Sequence, residues 1–191
     1  MAVDPLSIWT EELEKLPPVG DLSWAPNFAN WYADRIVDIE PDDTMLDVST
    51  GFTFVFNTAL FATTLALLPP VPVALAGITG LALAWETALL TTIYSATLNV
   101  SSGAFVPPAS PGTIFSSVAG VEIDAASLIA GKAKIMELAV APPTGEVDTS
   151  QFPLKFREAT LLLTITVEGM DSTPSSSGGP YPLTAAARPL L

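Results

Sequence analysis

The hydrophobic and polar positions of this chain divide it into charged flanks and an apolar middle. Between residues 48 and 121 the only charged residue is Glu86. Within this stretch, the prolines of a PPVP sequence separate two apolar runs, residues 52–68 and 73–94. Because prolines break a run into an extended turn, the pattern predicts a central helical hairpin over residues 52–94.

The spacing of apolar residues predicts three more helices, over residues 5–16, 26–39 and about 124–140. The first is indicated by Trp9, which is followed by leucines four and seven residues later. In the third, Asp124 is a residue type that commonly caps the start of a helix.

Strands are predicted in two other segments. Residues 96–121 have the composition of one or two short strands joined by a proline-rich loop. Residues 152–167 contain the clearest alternation of strand type, which runs from Leu161 to Val167. The FTFVF sequence at residues 52–56 also alternates, but the Ala, Leu and Thr residues that follow favour a helix from about Phe54.

These elements predict an α+β fold, namely a helix-rich single domain with a central apolar helical hairpin, a small β-sheet and extended termini. We expect this domain to cover residues 1–170. Its acidic, helical N-terminal part is residues 1–47, and its apolar core is residues 48–121. Residues 171–191 are predicted to be a linker and a C-terminal arm, because a Ser/Gly-rich stretch precedes a modestly apolar end.

Charge is sparse and mainly acidic. The chain contains 49% hydrophobic and 14% charged residues, and its formal net charge is −13. Soluble domains contain about 25% charged residues, so part of this surface is expected to contact something other than water. Phosphate contacts require clustered Lys and Arg. We therefore predict neither sequence-specific nucleic-acid binding nor docking on an anionic membrane surface.

The residue types of common catalytic sites are absent. The sequence has no His and no Cys, which removes the usual general base, the thiolate nucleophile and the commonest metal ligand. No Gly-rich phosphate loop is present. An acidic run from Asp38 to Asp43 has the carboxylates that calcium prefers. It lacks the pattern of an EF-hand loop, and a solvated acidic loop is the favoured interpretation. We predict no enzyme activity, no catalytic residue, no cofactor and no metal.

Candidate residues for a subunit interface lie in the second apolar run. Gly80, Ala84 and Ala88 would form a small-residue face that lets another helix approach closely. Glu86 has two interpretations. It is a proton relay, an ion ligand or a registry contact between subunits, or it lies at a helix edge and reaches water or a base such as Arg157, because an unpaired buried charge is costly.

Two further features leave alternatives open. Four of the seven bases lie close together in sequence, and they would either contact the acidic N-terminal part of a neighbouring copy or cover a solvated face. These bases are Lys132, Lys134, Lys155 and Arg157. In the C-terminal arm, Tyr181 and Leu183 would either dock on the next subunit or belong to a frayed terminus.

A membrane protein is the alternative class. The apolar runs approach the roughly 20 residues that span a bilayer, so residues 52–94 would form a membrane hairpin. The PPVP break, the position of Glu86 and the lack of flanking Lys/Arg clusters argue against this. We therefore expect no membrane partner.

The segments WAPNFANWYADRI and FPLKFREATLLLTITVEG, with the ending AAARPLL, resemble structural proteins of tailed double-stranded DNA bacteriophages. The resemblance implies a virion protein of the neck, collar or connector that joins head to tail, and a tail terminator or a baseplate part stays open. It implies a homo-oligomer, such as a ring closed by cyclic symmetry. Its expected partners are copies of itself and neighbouring virion proteins. The expected location is the virion, assembled in the host cytoplasm.

Overall fold

The structure is a computed structural model, and it describes most of the chain. The described residues are 4–18, 21–36, 47–68, 75–91, 93–100, 114–139, 148–171 and 181–189. In the strands it describes the backbone, together with the side chains of three residues at strand ends, Val55, Ile123 and Thr164.

The described part of the chain contains six α-helices. They are α1 (Leu6–Leu13), α2 (Trp24–Ile36), α3 (Thr58–Ala66), α4 (Leu75–Leu90), α5 (Ala125–Met136) and α6 (Phe152–Leu161). A 3₁₀ turn, Glu137–Ala139, follows α5, and another, Thr149–Gln151, precedes α6. Each helix contacts the next one in the chain, and α6 contacts α1. The six helices therefore surround a shared core.

Strand segments lie between and after the helix pairs. They are β1 (Asp47–Val55), β2 (Ile93–Val100), β3 (Ile114–Ile123), β4 (Thr164–Asp171) and β5 (Tyr181–Pro189). Their backbones pair antiparallel in chain order. Val55 lies opposite Ile93, and Ile123 lies opposite Ile165. The strand ends that join the helices are therefore at one end of the sheet.

The six helices α1 to α6 together form what we call the helical body, and its core is aromatic. Phe28 of α2 lies with its ring centroid 5.2 Å from that of Phe156 in α6 and 6.2 Å from that of Phe61 in α3. Tyr32, one turn after Phe28, contacts both of these phenylalanine rings. Such edge contacts add about 0.5–1.5 kcal/mol per pair beyond area burial, so this cluster ties three helices together.

The predicted α+β fold class is wrong for this body. Of the residues whose side chains are described, 77% are helical and 3% lie in strands, and no sheet lies among them. The buried hydrophobic residues among them lie on helices or, for Phe56 and Leu163, in a short connection beside one. The helices bury their apolar faces against one another, and no small sheet is part of the described core.

Helix α6 was predicted as part of a strand region, which is also wrong. Phe152, Phe156, Ala159 and Thr160 are buried, and their spacing of four, seven and eight residues is the helical one. Pro153 lies in the first turn, where a missing N–H costs little. The alternation begins at Leu161, the last residue of α6, but only its part from Thr164 onward belongs to β4.

The predicted helix start near Phe54 is corrected in the same way. The FTFVF sequence belongs to β1 up to Val55, and α3 begins at Thr58. Asn57, two residues after the strand ends, caps the helix, because its side chain accepts a hydrogen bond of 3.1 Å from Leu60 N.

Several local predictions are confirmed. The described helices α1, α2, α4 and α5 lie where the apolar spacing placed them, each ending within a few residues of the expected position. Asp124 caps α5, because its carboxylate accepts a 3.2 Å hydrogen bond from Ser127 N. Strands β2 and β3 match the two short strands expected after the hairpin.

Candidate functional site

Glu86, on α4, forms an ion pair with Lys132 of α5. The distance from Lys132 Nζ to Glu86 Oε2 is 2.5 Å, and the two side chains are 32% and 18% exposed. A half-buried carboxylate needs such a partner to offset lost solvation. The structure therefore shows the second interpretation of Glu86, a carboxylate at a helix edge that reaches a base. The base is Lys132 rather than Arg157.

The small-residue face of α4 lies inside the chain's own body. Ala84 and Ala88 are buried, and Gly80 faces the side chain of Leu68 just beyond α3. Small side chains here let the neighbouring helices of the same chain approach α4. Their contribution to a contact between subunits stays a prediction.

Arg157, on α6, binds the start of the chain. Its Nε donates a 2.8 Å hydrogen bond to the backbone carbonyl oxygen of Asp4. The carboxylate of Asp4 lies 3.4 Å from Arg35 Nη1 of α2. Two arginines from different helices therefore hold Asp4, two residues before α1 begins.

The other clustered lysines also have acidic partners within the chain. Lys134 and Lys155 both bind Glu137, at 2.8 Å and 2.7 Å. Lys155 also binds Glu158 of its own helix at 3.0 Å. These contacts link the turn after α5 to α6. An additional contact between this cluster and a neighbouring copy stays a prediction.

Glu137 gives this linkage a defined pH dependence. Hydrogen bonds from Lys134 and then Lys155 lower the pKa of Glu137 from 4.5 to about 2. Because this pKa is lower in the folded protein than in the unfolded chain, ionised Glu137 stabilises the fold at pH values above its unfolded-state pKa. This stabilisation is lost as pH falls from about 4.5 toward 2. We expect the wild type to be more stable than the Glu137→Gln variant near neutral pH, and the difference to shrink toward pH 2. Urea unfolding of both proteins across this range measures it. A difference that does not change with pH would contradict the assignment.

A buried polar chain, which sequence reasoning missed, joins three helices. Trp85 Nε1 of α4 donates a 2.7 Å hydrogen bond to the hydroxyl of Tyr32 in α2. That hydroxyl lies 3.0 Å from Thr160 Oγ1 of α6. Burial raises the pKa of Tyr32 to about 12, so the phenol stays protonated. The group therefore holds helices together and is not suited to acid–base chemistry.

Tyr181 and Leu183, predicted in a C-terminal arm, lie in β5. They are opposite Asp171 and Gly169 of β4 in the same chain. The backbone of this arm therefore pairs within the chain's own sheet. Docking of the arm on another subunit stays a prediction.

A cavity of about 290 Å³ lies between the end of α1 and the start of α6. Its walls include Leu13, Trp24 and Phe152, and Glu14 is the one titratable residue among the lining residues. Thr149 and Ser150 also line it, and a single carboxylate beside these hydroxyls and the apolar walls supplies no catalytic pair. This cavity therefore gives no support to an enzymatic function.

The acidic run and the apolar runs of the sequence raise two further possible functions, metal binding and membrane insertion. The acidic run from Asp38 to Asp43 lies outside the described residues. Among the residues that are described, no three potential metal ligands come together. Within the same part of the chain, no helix has the length and hydropathy that a membrane span requires.

The outer surface of α3, α4 and α5 differs from the rest of the body in its sparse charge, although large apolar side chains are also exposed elsewhere, at Leu6, Ile8, Leu22 and Leu162. It exposes large apolar side chains: Leu67 is 81% exposed, Leu83 52%, Leu90 65% and Ile129 63%. Helix α3 has no charged residue, and Glu86 is the only one in α4. Helix α5 carries two lysines, Lys132 and Lys134, which pair with Glu86 and Glu137. We call this surface the uncharged face, because both of these ion pairs are internally neutral.

The helices on the other side carry most of the charge of the body. Charged residues occur on all three, at Glu11, Glu12, Asp34, Arg35, Lys155 and Glu158 among others. The described body thus has a charged side and an uncharged side. Single exposed apolar residues are common on proteins, whereas several of them on a surface with no net charge suit a contact site.

Comparison with known proteins gives no match: no family model fits the chain, and no curated protein or solved structure is significantly similar to it.

Proposed function

We propose that this protein is a non-enzymatic structural subunit that assembles with copies of itself into a ring. We further propose that it belongs to the neck, collar or connector region of a tailed-phage virion. The observation that carries the assembly proposal is the uncharged face of α3 to α5, on a chain whose net charge is −13.

Charge explains why this face suits self-association. Copies that each carry a large negative charge repel one another wherever acidic surfaces meet. Contact through a surface with no net charge avoids this repulsion and desolvates no unpaired ion. The charged helices α1, α2 and α6 can then remain in water.

The virion assignment is supported by the sequence resemblance. The WYADRI segment supplies Trp31, Tyr32 and Ile36 to the core. The FPLKFREATLLLTIT segment forms α6 and the first residues of β4. Both segments build the body rather than a catalytic site, which suits a protein whose role is structural.

We expect purified, detergent-free protein to be a monodisperse multimer of the 20.0 kDa chain. Size-exclusion chromatography with light scattering measures its mass, and electron microscopy shows if the particles are rings. A protein that stays monomeric at all accessible concentrations would overturn the proposal. Recovery only in detergent would favour the membrane hairpin instead.

A further inference from the structure

We infer that copies of this chain contact each other through α4 of one copy and α5 of the next. The inference rests on the proposed self-assembly and names its contact surface. The α4 stripe consists of Leu83, Thr87 and Leu90. The α5 stripe consists of Ala126, Ile129, Ala130 and Ala133. Both stripes belong to the uncharged face, and except for the half-buried Thr87 their residues are exposed.

The two stripes are complementary in shape. On α4, the large side chains of Leu83 and Leu90 are separated by seven residues, with the smaller Thr87 between them. On α5, Ala126 and Ala133 have the same separation, which is roughly 10 Å along a helix. Ile129 projects between these two alanines. Leucines of α4 can therefore lie over the alanines of α5, while Ile129 enters the gap above Thr87, as in knobs-into-holes packing.

Charge favours unlike stripes over like stripes. The α4 stripe is bordered by Glu86. The α5 stripe is bordered by Lys132 and Lys134, and Glu137 follows Ala133 by one helical turn. A contact between two α4 stripes would bring two carboxylates together, and one between two α5 stripes would bring two ammonium groups together. A contact of α4 with α5 places an acidic border beside a basic one. Within each chain Glu86 already pairs with Lys132, and Lys134 with Glu137, so no charge at the contact is buried alone.

The same charges indicate that the partner is a second copy. A basic partner protein would be attracted to the acidic surfaces of this chain rather than to its uncharged face. The surface that matches the α4 stripe in shape and charge is present on the chain itself, on α5. Repeated contacts between unlike surfaces generate a ring when the rotation closes.

Single cysteines test this contact directly, because the chain has none of its own. One copy would carry Leu83→Cys and the other Ala130→Cys, with different affinity tags, and both would be co-expressed. A short bismaleimide is expected to link the two tagged chains into a species of twice the 20.0 kDa chain mass. Each variant alone is expected to give at least several-fold less product. The control pair replaces Leu83→Cys by Asn30→Cys, which lies at an exposed position on the charged helix α2, and is expected to give none.

A second measurement separates the contact from self-assembly in general. Leu83→Lys is expected to lower the multimer mass toward that of one chain, whereas Asn30→Lys is expected to leave it unchanged. Far-UV circular dichroism checks that both variants keep their helices. If the wild type is a multimer but the mixed pair is not linked, or Leu83→Lys leaves its mass unchanged, the inferred contact is wrong and the proposed function stands. A monomeric wild type would overturn both.

Discussion

Replacement of Trp85 by alanine is expected to lower the free energy of unfolding by about 3–5 kcal/mol, the range for removal of a large aromatic side chain from a core. Trp85 is fully buried, and its ring lies against the backbone of Gly131 in α5. The variant would lose this packing and leave a cavity between α4 and α5. It would also lose the hydrogen bond to Tyr32. Since domains are stable by only about 5–15 kcal/mol, much of the stability of the helical body depends on this residue.

Trp85→Phe is the matched control, because it keeps an aromatic ring but removes the indole N–H. The Tyr32 hydroxyl still has Thr160 as a partner, so no buried polar group is left alone. We expect a cost of about 1–2 kcal/mol, in the range of a lost hydrogen bond and a small volume change. Urea unfolding followed by circular dichroism measures both variants. Equal stability of Trp85→Ala and Trp85→Phe would show that this position is not part of a packed core.

The local pattern of the chain predicts where most helices lie, but not which of them meet. The apolar spacing that indicates α1, α2 or α5 lies entirely within that one helix, so a single segment of the sequence shows it. The hydrogen bond between Tyr32 and Trp85 joins residues 53 apart, and Tyr32 and Thr160 are 128 apart. No segment contains both partners. The base that pairs with Glu86 could not be chosen for the same reason, since Lys132 reaches it only because α5 packs beside α4.

The errors in the predicted secondary structure arise where a helical pattern and a strand pattern are adjacent in the sequence. In FPLKFREATLLLTITV, a helix and a strand are separated only by Leu162 and Leu163. The alternation of the strand concealed the four-residue spacing of Phe152 and Phe156. In FTFVFNTALF, Asn57 lies two residues after the strand ends and caps α3. Its role as a helix start is readable from the sequence, because asparagine is a preferred N-cap residue.

The predicted fold class failed because apolar content does not reveal which elements share a core. The prediction placed the strand-like segments and the helices in one helix-rich domain with a small β-sheet. In the helical body, the six helices bury their apolar faces against one another, and the aromatic residues of α2, α3, α4 and α6 fill the space between them. The uncharged face of α3 to α5 could not be predicted from the sequence either, because the sequence shows a lack of charge but not which residues remain exposed.

Replacement of Gly131 by alanine is expected to destabilise the protein by about 1–3 kcal/mol, as overpacking of a core does. Intrinsic helix propensity predicts the opposite, since alanine is favoured over glycine by about 1 kcal/mol within a helix. An added Cβ would lie 2.6 Å from Trp85 Cη2 and 2.9 Å from the carbonyl oxygen of Ala159. The first atom belongs to a fully buried ring and the second to the backbone of α6. Neither can move without separating α5 from its neighbours, so the steric cost outweighs the gain in propensity.

Gly80→Ala in α4 separates these two effects. The three atoms nearest to its added Cβ all belong to the Leu68 side chain, which is half-buried just beyond α3 and can change rotamer. There the propensity gain should prevail, giving a change between zero and about 1 kcal/mol of added stability. Thermal and urea unfolding of both variants should therefore shift in opposite directions or differ clearly in size. If Gly131→Ala is as stable as Gly80→Ala, then α5 does not approach α6 and Trp85 as closely as the packing of the body requires.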